Sequence, residues 1–519
     1  MLPSRPSPGL SRLLFASAFF ISTCGLVYEL VAGALASYVL GDSITQFSLV
    51  IGVYLSAMGV GSYLSRFVDR GLVSRFVEVE IAVALLGGFQ SILLFAAFAY
   101  TPAFRLALFG MVGAVGIGVG LELPLLMRVL EQQSPFKELV ARILFLDYIG
   151  ALFASVAFPM LLVPRLGLLR TSLAFGLVNG AVALVTTWLF EAPAPVLRRL
   201  RLMSVAALAL LVSGFWGAGA LERSMEANLF ADPVVYREQS AYQRIVVTNW
   251  DRDTRLFLDG ALQFSSADEY RYHESLVHPA LSSVAAPRAV LVMGGGDGMA
   301  VREILKHASV ERVTLVDLDP AMTHLFRDRP EFAALNHNSL SDPRVTVVNA
   351  DAFHWLDEAA RGEAVEGLPP DGKFDAVIVD FPDPNNFGLG KLYTTHFYRL
   401  LQGRLNPGAA IALQATSPLY SVEAYWCIVR TLEHTGFQTR PYHAFVPAFG
   451  EWGFVLASLA PLPPFRALPE GLRFLDADTL PTLFHFPADM DRRSGPINRL
   501  DNQALVMLYD KDWQELSHR

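Results

Sequence analysis

The sequence predicts a multi-pass α-helical membrane domain of about seven helices, then a small β-subdomain, then an α/β domain built on a doubly wound parallel sheet. Of the 519 residues, 53% are hydrophobic and only 17% are charged, which is too apolar for an ordinary soluble protein. The apolar excess lies in the first 220 residues or so. From about Asp232 onward, strand patterns alternate with helix patterns, which is typical of a parallel sheet.

Seven stretches in the amino-terminal part are long enough to cross a bilayer, which takes about 20 apolar residues each. Seven such segments in series favour a membrane domain, assigned to residues 1–222, over buried core helices. The predicted spans are Leu13–Leu40, Ile44–Arg66, Phe76–Tyr100, Phe104–Leu130, Ile143–Pro164, Leu168–Phe190 and Leu202–Ala220.

Three acids, Glu29, Glu122 and Asp147, lie inside these spans. Carboxylates in a membrane are costly and usually face a cavity or a partner. Either they form a cation site or relay, or they pair with Arg, Tyr or backbone groups between helices and only stabilise the bundle.

The soluble half begins with short strands, which form a β-subdomain assigned to residues 232–266, and continues as an α/β domain assigned to residues 267–519. The subdomain strands are predicted at Gln243–Trp250, Arg255–Leu258 and Ala261–Ser265, with a hairpin turn at Asp259-Gly260. The α/β strands are predicted at Ala289–Met293, Arg312–Val316, Val345–Val348, Ala376–Val379 and Ala409–Gln414, with Tyr442–Phe445 and Phe454–Ser458 as an antiparallel pair. Its helices are predicted at Met299–His307, Pro320–Phe326, Ala352–Ala360, Thr394–Arg404 and Val422–Thr435.

A glycine turn, residues 294–298, follows the first α/β strand and contains one acid, Asp297. Glycine lets the backbone approach a ligand closely, and such a turn binds NAD, FAD or S-adenosyl compounds. The next strand ends at Asp317, about 20 residues on, which suits a ribose diol. The third ends at Asp351, placed to meet an adenine amino group. We therefore expect an adenosine ligand.

Asp297 narrows the choice of ligand because a carboxylate there would repel the pyrophosphate of NAD. S-adenosylmethionine carries a carboxylate near this turn, whereas its decarboxylated form carries only an ammonium. Charge complementarity favours the decarboxylated donor. The alternative is that Asp297 only caps the turn through backbone amides.

Two further acids, Asp380 and Asp383, follow the fourth strand. They are expected to hold a polyamine and to take a proton from its attacking nitrogen, because an ammonium has no lone pair. An aspartate with a pKa of about 4 is a weak base, but burial and neighbouring acids raise that value. Tyr272 or a water is expected to share the task. The alternative is that Asp380 and Asp383 are ordinary strand-end and turn residues before proline.

Composition excludes several other classes of site. Cys24 and Cys427 lie in different halves, so no disulfide framework is implied. No zinc-type Cys/His spacing occurs in the sequence, and no metal site is expected. The net charge of −8 argues against nucleic acid as a partner.

At this point the soluble half resembles the spermidine synthases, the polyamine aminopropyltransferases, over residues 239–459. The motifs that carry the resemblance are Tyr242-Gln243, Leu258-Asp259-Gly260, Gln263, Asp268 through Glu274, Gly294 through Gly298 with Val301-Arg302-Glu303, Asp317-Leu318-Asp319, Asp351, and Asp380 through Pro384. The resemblance implies a Rossmann-like, methyltransferase-type domain behind a β-subdomain. It also implies transfer of an aminopropyl group from decarboxylated S-adenosylmethionine to putrescine, giving spermidine and methylthioadenosine, with no cofactor besides that co-substrate.

The resemblance also implies roles for single residues. Asp380 resembles the proton acceptor, and Asp383 the amine-binding acid. The remaining implied contacts are Gln243, His273 and Asp297 with donor or amine, Asp317 with the ribose, Asp351 and Ala352 with the adenine, and Gln263 and Tyr272 along the amine site.

Several positions depart from the family pattern. Asp317 replaces the usual Glu, Ala352 replaces Gly, and Phe449 stands where a tyrosine commonly contacts the amine. Phe381-Pro382 replaces small polar residues, and residues 385–393 replace a Gly-Pro loop. Phe449 and the two replaced segments bear on the acceptor amine and not on the donor, whereas the shorter Asp317 is expected to hold the ribose more loosely or through a water.

The amino-terminal half resembles membrane-integrated bacterial members of the family, through Tyr28-Glu29-Leu30, Gly41-Asp42-Ser43 and Glu122 through Leu125. We therefore expect a multi-pass protein of the inner cell membrane, in contact with the lipid bilayer, that forms a homodimer or a larger assembly. The positive-inside rule places the amino terminus in the cytoplasm, and seven crossings would place the catalytic domain outside. The chemistry requires a cytosolic nucleoside, so we expect a cytoplasmic catalytic domain and one re-entrant or interfacial segment.

Two other functions stay open at this stage. One is an S-adenosylmethionine-dependent methyl- or carboxyaminopropyltransferase, suggested by the altered loop after Asp383. The other is a membrane polyamine transporter or sensor whose soluble domain only binds, suggested by the three acids in the predicted spans.

Overall fold

The structure, a computed structural model, describes residues 8–40, 43–101, 103–131, 136–189 and 192–517. It has two compact units, Met1–Ala231 and Asp232–Arg519. The pair Gly41-Asp42 and Phe190, at the end of one predicted span, lie outside the described residues.

The first unit is helical. Its described α-helices are α1 (Pro8–Leu40), α2 (Ser43–Leu64), α3 (Leu72–Tyr100), α4 (Phe104–Leu130), α5 (Phe136–Ala157), α6 (Val163–Leu189) and α7 (Ala194–Leu229). Within the described ranges, six stretches are long and apolar enough to cross a membrane. Two predicted spans fall in one of these, the 54-residue stretch Phe136–Leu189. That stretch breaks at Gly167, where φ is 71° and ψ is 174°.

Glycine permits close approach of α2 and α4. A Cβ at Gly61 would lie 2.1 Å from the carbonyl oxygen of Ile117, and one at Gly120 would lie 2.2 Å from that of Met58. The absence of a side chain at these two positions therefore lets the backbones of α2 and α4 come into direct contact.

The second unit opens with a four-stranded antiparallel sheet in the order β1-β2-β3-β4. Its strands are β1 (Val234–Gln239), β2 (Arg244–Trp250), β3 (Asp253–Leu258) and β4 (Ala261–Ser265). The predicted turn is present, with positive φ at Asp259 and Gly260. Strand β1 was not predicted, because most of its side chains are exposed and it carries no apolar alternation.

The α/β part contains a seven-stranded sheet in the order β10-β11-β9-β8-β5-β6-β7. Its strands are β5 (Ala289–Gly294), β6 (Arg312–Asp317), β7 (Val345–Asn349), β8 (Phe374–Asp380), β9 (Leu405–Gln414), β10 (Gln438–Val446) and β11 (Gly450–Ser458). Strands β5 to β9 are parallel, and β10 and β11 form the predicted antiparallel pair. The predicted fold class is confirmed.

Helices cover this sheet. They are α8 (Glu269–Ser283), α9 (Met299–Ile304), α10 (Pro320–Asp328), α11 (Pro330–Ala333), α12 (Ala352–Ala360), α13 (Phe387–Gly390), α14 (Thr395–Gln402), α15 (Val422–His434), α16 (Thr479–Thr482) and α17 (Ala504–Ser517). All five helices predicted for this part are present, some with shifted ends. Helix α8 was not predicted, because it buries polar residues such as Glu274 and His278 and contains Pro279.

The order in which the chain adds strands to the sheet reverses beside β5. It runs from β5 outward to β7, then returns to place β8 against the other side of β5. Ligands in open α/β sheets bind at such a switch point, at the carboxyl ends of the strands. The glycine turn after β5 and the acids after β8 both lie there.

Candidate active site

The glycine turn lies directly against two of the predicted acids. A Cβ at Gly295, where φ is 68°, would lie 3.1 Å from Oδ2 of Asp380. A Cβ at Gly296 would lie 2.8 Å from the carboxyl carbon of Asp317. Glycine is therefore required on two grounds, a left-handed conformation and contact with the carboxylates on both sides.

Asp317 is bound to the backbone of this edge. Its Oδ2 accepts a 3.0 Å hydrogen bond from the amide of Gly296, and its Oδ1 accepts one of 2.9 Å from the amide of Asp319. Burial raises the pKa of Asp317 to about 6, and the charges of Asp319 and Asp297 act in the same direction. The carboxylate stands at the end of β6, beside the turn, as predicted.

Gln243 reaches the same edge from the β-subdomain. Its amide nitrogen donates a 3.0 Å hydrogen bond to Oδ2 of Asp319, which also accepts one of 2.7 Å from the hydroxyl of Ser240. Asp319 in turn caps α10 through the amide of Ala321. Gln243 therefore contacts Asp319, which lies two positions after the predicted ribose acid, Asp317.

Asp351 begins α12 and already has a cationic partner. Its Oδ1 accepts hydrogen bonds from the amides of Phe353 and His354, and its Oδ2 lies 2.6 Å from Nζ of Lys391. Burial raises the pKa of this carboxyl, but the Lys391 ion pair and the two amides lower it by more. The pKa of Asp351 therefore lies below its usual value. Ala352, beside it, is buried. The altered loop after Asp383 thus supplies a lysine to the predicted adenine end.

Asp380 ends β8 and is paired with Tyr272. The phenol of Tyr272 donates a 2.6 Å hydrogen bond to Oδ1 of Asp380. Burial raises the pKa of Asp380 to about 6, Asp297 adds to the rise, and His273 and the Tyr272 hydrogen bond oppose it. An aspartate in this range is a better base than a solvated one.

Asp383 lies three residues further on and accepts three side-chain hydrogen bonds. They come from the hydroxyl of Tyr509 at 2.9 Å, the hydroxyl of Thr416 at 3.3 Å and the amide of Gln414 at 3.5 Å. Burial raises the pKa of Asp383 to about 6, against the effect of these donors. Tyr509 lies on α17, beyond every residue that the sequence motifs include.

His273 is held as a cation among the acids. Its Nδ1 lies 2.8 Å from Oε2 of Glu269. Burial lowers the pKa of His273, but the hydrogen bond and charge of Glu269, with the charges of Asp297 and Asp380, raise it to about 9. Arg302 binds both oxygens of Glu269, at 3.0 and 2.8 Å.

Asp297 is half-buried in the turn. One of its oxygens accepts a 2.9 Å hydrogen bond from the amide of Met299, as the capping alternative requires. Burial raises the pKa of Asp297, and the charge of His273 and the Met299 amide oppose the rise. The carboxylate therefore caps the turn with one oxygen while it also faces the charges of the site.

Gln263 is the predicted site residue that these contacts do not bring to the acids. Its amide nitrogen donates a 3.2 Å hydrogen bond to the carbonyl of Ala261, within its own strand. Phe449, the other departure on this side, packs against the ring of Tyr272 at 6.3 Å.

Four residues that hold the site had no role in the sequence analysis: Glu269, Arg302, Lys391 and Tyr509. The first could have been found, because Glu269 and His273 are four residues apart and so share one face of a helix. No local signal marks Tyr509, which is 126 residues from Asp383. Among the described residues, no cluster of three or more His, Cys, Asp or Glu side chains could hold a metal ion.

Comparison with known proteins identifies the family of the chain. The sequence model of the spermine/spermidine synthase domain matches residues 269–465. A polyamine aminopropyltransferase of Leptospira interrogans is 50% identical over 98% of this chain and 100% of its own length. Polyamine aminopropyltransferase 2 of Ralstonia nicotianae is 50% identical over 97% of this chain and 98% of its own.

A crystal structure of spermidine synthase in complex with the transition state analogue AdoDATO is also similar. It is 27% identical and covers 49% of this chain and 85% of its own, with a TM-score of 0.44. The two aminopropyltransferases match nearly the full length of this chain, and therefore both of its units. The chain therefore belongs to the polyamine aminopropyltransferase family, transferases of polyamine biosynthesis that use decarboxylated S-adenosylmethionine as the aminopropyl donor.

Proposed function

We propose that this enzyme transfers the aminopropyl group to putrescine and that Asp380 accepts the proton of the attacking amine. The observation that supports this most directly is the position of Asp380 and Asp383, three residues apart at the end of β8. Burial raises the pKa of each to about 6. Two such carboxylates suit a diamine, because one can grip an ammonium while the other receives a proton.

The donor is proposed to lie along the carboxyl ends of β5, β6 and β7. Asp317 would hold the ribose, with Gln243 beside it, and Asp351 and Ala352 would bind the adenine. Asp297 would face the ammonium of the decarboxylated donor. Gln263 is proposed as a residue at the margin of the amine site, since its hydrogen bond stays in its own strand.

The chemical step is a displacement at carbon. The lone pair of the putrescine nitrogen forms a bond to the propyl carbon next to the sulfonium. The carbon–sulfur bond breaks, its electrons stay on sulfur, and methylthioadenosine leaves. The proton lost by nitrogen passes to Asp380, with Tyr272 hydrogen-bonded to the same carboxylate. Asp383 holds the distant ammonium and so orients the attack.

His273 is proposed to contact the donor or the amine, and its positive charge also offsets the negative charge of the neighbouring carboxylates. Its pKa of about 9 keeps it protonated near neutral pH, between Glu269 and the acids Asp297 and Asp380. A fixed cation beside several carboxylates limits their mutual repulsion. This lets Asp380 stay ionised and able to accept a proton.

Purified full-length protein tests the proposal when it is given putrescine and either donor. We expect methylthioadenosine and spermidine from the decarboxylated donor, and little product from S-adenosylmethionine. Asp380→Asn should lower kcat by about a hundredfold or more, because it removes the base. Asp383→Asn should mainly raise the KM for putrescine.

Equal turnover by wild type and Asp380→Asn would remove Asp380 from this role. Product from S-adenosylmethionine in preference would favour the methyl- or carboxyaminopropyltransferase alternative. Asp371→Asn serves as the control, since that acid lies in an exposed loop away from the site.

We also propose that the helical unit, residues 1–222, is embedded in the inner cell membrane, with the catalytic domain in the cytoplasm and a dimer or larger assembly in the bilayer. The apolar stretches support it through their length and composition. The Phe136–Leu189 stretch would be about 80 Å long as one straight helix, well beyond the roughly 30 Å bilayer core, so the break at Gly167 divides it into two segments. A reporter that works only in the cytoplasm should be active when it is fused to the carboxyl terminus, and one that works only in the periplasm should be inactive there.

A further inference from the structure

Two buried carboxyl groups lie together in the helical unit. Glu80 on α3 and Glu122 on α4 both have 0% exposed surface, and they interact electrostatically with each other. Glu122 was one of the acids noted in the sequence, whereas Glu80 was missed. Glycine lets α6 approach α3 closely in this part of the unit, because a Cβ at Gly176 would lie 2.8 Å from the carbonyl oxygen of Ala84 and 2.8 Å from Cα of Gly88.

The neighbouring polar groups come from two further helices. Asn179 on α6 donates a 3.3 Å hydrogen bond from its amide to Oε1 of Glu122. Tyr28 on α1 interacts electrostatically with both acids, and its ring lies against Gly87 of α3. Four helices thus converge on the buried acid pair, as we call Glu80 and Glu122.

The unpartnered atoms of this cluster are nearly all acceptors. Among the described residues, no hydrogen-bond partner exists for either oxygen of Glu80, for Oε2 of Glu122 or for Oδ1 of Asn179. The hydroxyl of Tyr28, which can donate or accept, is also unpartnered. No described ion pair includes either acid. When the two acids are ionised, these atoms lack a donor with positive charge, since a buried carboxylate without a partner is strongly disfavoured.

We propose that the buried acid pair binds a primary ammonium group of a polyamine, at a site separate from the catalytic one. An ammonium supplies three donors, which matches a set of unpartnered carboxylate and amide oxygens. The surrounding apolar side chains, including Val83 and Val119, suit the methylene chain of a polyamine better than a hydrated metal ion. The proposal takes the polyamine chemistry from the family of the chain, and the helical unit would then sense or carry the compounds that the soluble unit makes.

Equilibrium dialysis of radiolabelled spermidine against full-length protein in lipid nanodiscs tests this. We expect wild type to bind spermidine at a second site per chain, and Asp383→Asn protein to retain it. Glu122→Gln should weaken that site by about tenfold or more, because it removes a charge from the buried pair. Turnover of Glu122→Gln with putrescine should stay close to that of wild type.

The matched control is Glu131→Gln, which neutralises an exposed acid just after the same helix. Should Glu122→Gln fail to fold, Asn179→Leu removes the amide oxygen and leaves both acids, and it should also weaken the second site. The number of spermidine sites per wild-type chain can be measured without any variant. A single spermidine site, lost in Asp383→Asn, would overturn the inference while methylthioadenosine production still supported the proposed reaction. Binding of ²²Na⁺ to the pair without spermidine would overturn it as well.

Discussion

The hydroxyl of Tyr509 donates a 2.9 Å hydrogen bond to Oδ2 of Asp383, across 126 positions of the sequence. The same terminal segment holds the loop that follows Asp383. Asn498 donates to the carbonyls of Gly390 and Tyr393, and a Cβ at Gly390 would lie 2.5 Å from Val506. The chain after residue 465, where the match to the family domain ends, therefore completes one wall of the proposed amine site.

Tyr509→Phe should raise the KM for putrescine by about ten- to a hundredfold and leave kcat within a few-fold. A hydrogen bond to a charged group contributes about 1.5–3 kcal/mol, and this one orients the carboxylate that grips the ammonium. Steady-state kinetics with varied putrescine measures both constants. Met507→Ala, on the exposed face of the same helix, is the control. An unchanged KM would mean that Tyr509 only packs the helix.

Tyr272→Phe should move the acidic limb of the pH–rate profile to higher pH. Catalysis needs ionised Asp380, so kcat/KM should rise as the pH passes through about 6. Tyr272 donates to the ionised carboxylate and thereby lowers its pKa, so its removal raises that pKa, by roughly one unit. Because Asp383 titrates in the same range, the limb reports the pair.

The control for this shift is Tyr270→Phe, two residues away on α8, whose ring stacks with Arg473. A limb that stays at the wild-type pH in Tyr272→Phe would show that the phenol does not act on the base.

Asp297→Asn should weaken binding of decarboxylated S-adenosylmethionine by about ten- to a hundredfold and bind S-adenosylmethionine no worse than wild type. The carboxylate attracts the donor ammonium and repels the carboxylate of the undecarboxylated compound. Calorimetric titration with both compounds gives the ratio of affinities. Equal weakening of both would indicate that Asp297 only caps the turn, through its bond to the Met299 amide.

His273 should make the stability of the soluble unit depend on pH above neutrality. Its pKa of about 9 in the folded unit lies above the unfolded value of about 6.5. The stabilisation is therefore complete below about 6.5 and is lost as the pH rises through about 9. It should amount to about 3 kcal/mol, because a difference of one pKa unit corresponds to about 1.4 kcal/mol.

Thermal unfolding in detergent from pH 6 to 10, followed by tryptophan fluorescence, measures this. His273→Gln should be less stable than wild type at pH 6, and the difference should shrink by pH 10. A constant difference would show that the charge of His273 contributes nothing to stability.

Local pattern was sufficient for the central sheet and for most of the acids. Five parallel strands were predicted because each is a short apolar run bounded by turn residues, and Asp317, Asp351 and Asp380 follow strand ends. Parallel strands share one edge, so residues that end them lie close together whatever the chain between them does. Strand β1 and helix α8 were missed because their apolar residues show no clean period.

The amino-acid sequence by itself determined the division into an apolar helical half and an α/β half, the glycine turn and the order of the acids. Hydrophobic period and strand-end chemistry are local properties, and they can be read in windows of a few residues. Only the tertiary structure decided which groups meet: Tyr509 with Asp383, Lys391 with Asp351, and Arg302 with Glu269. Those pairs depend on the packing of distant elements, and the protonation of each carboxyl follows from its burial and its partners, which no local pattern contains.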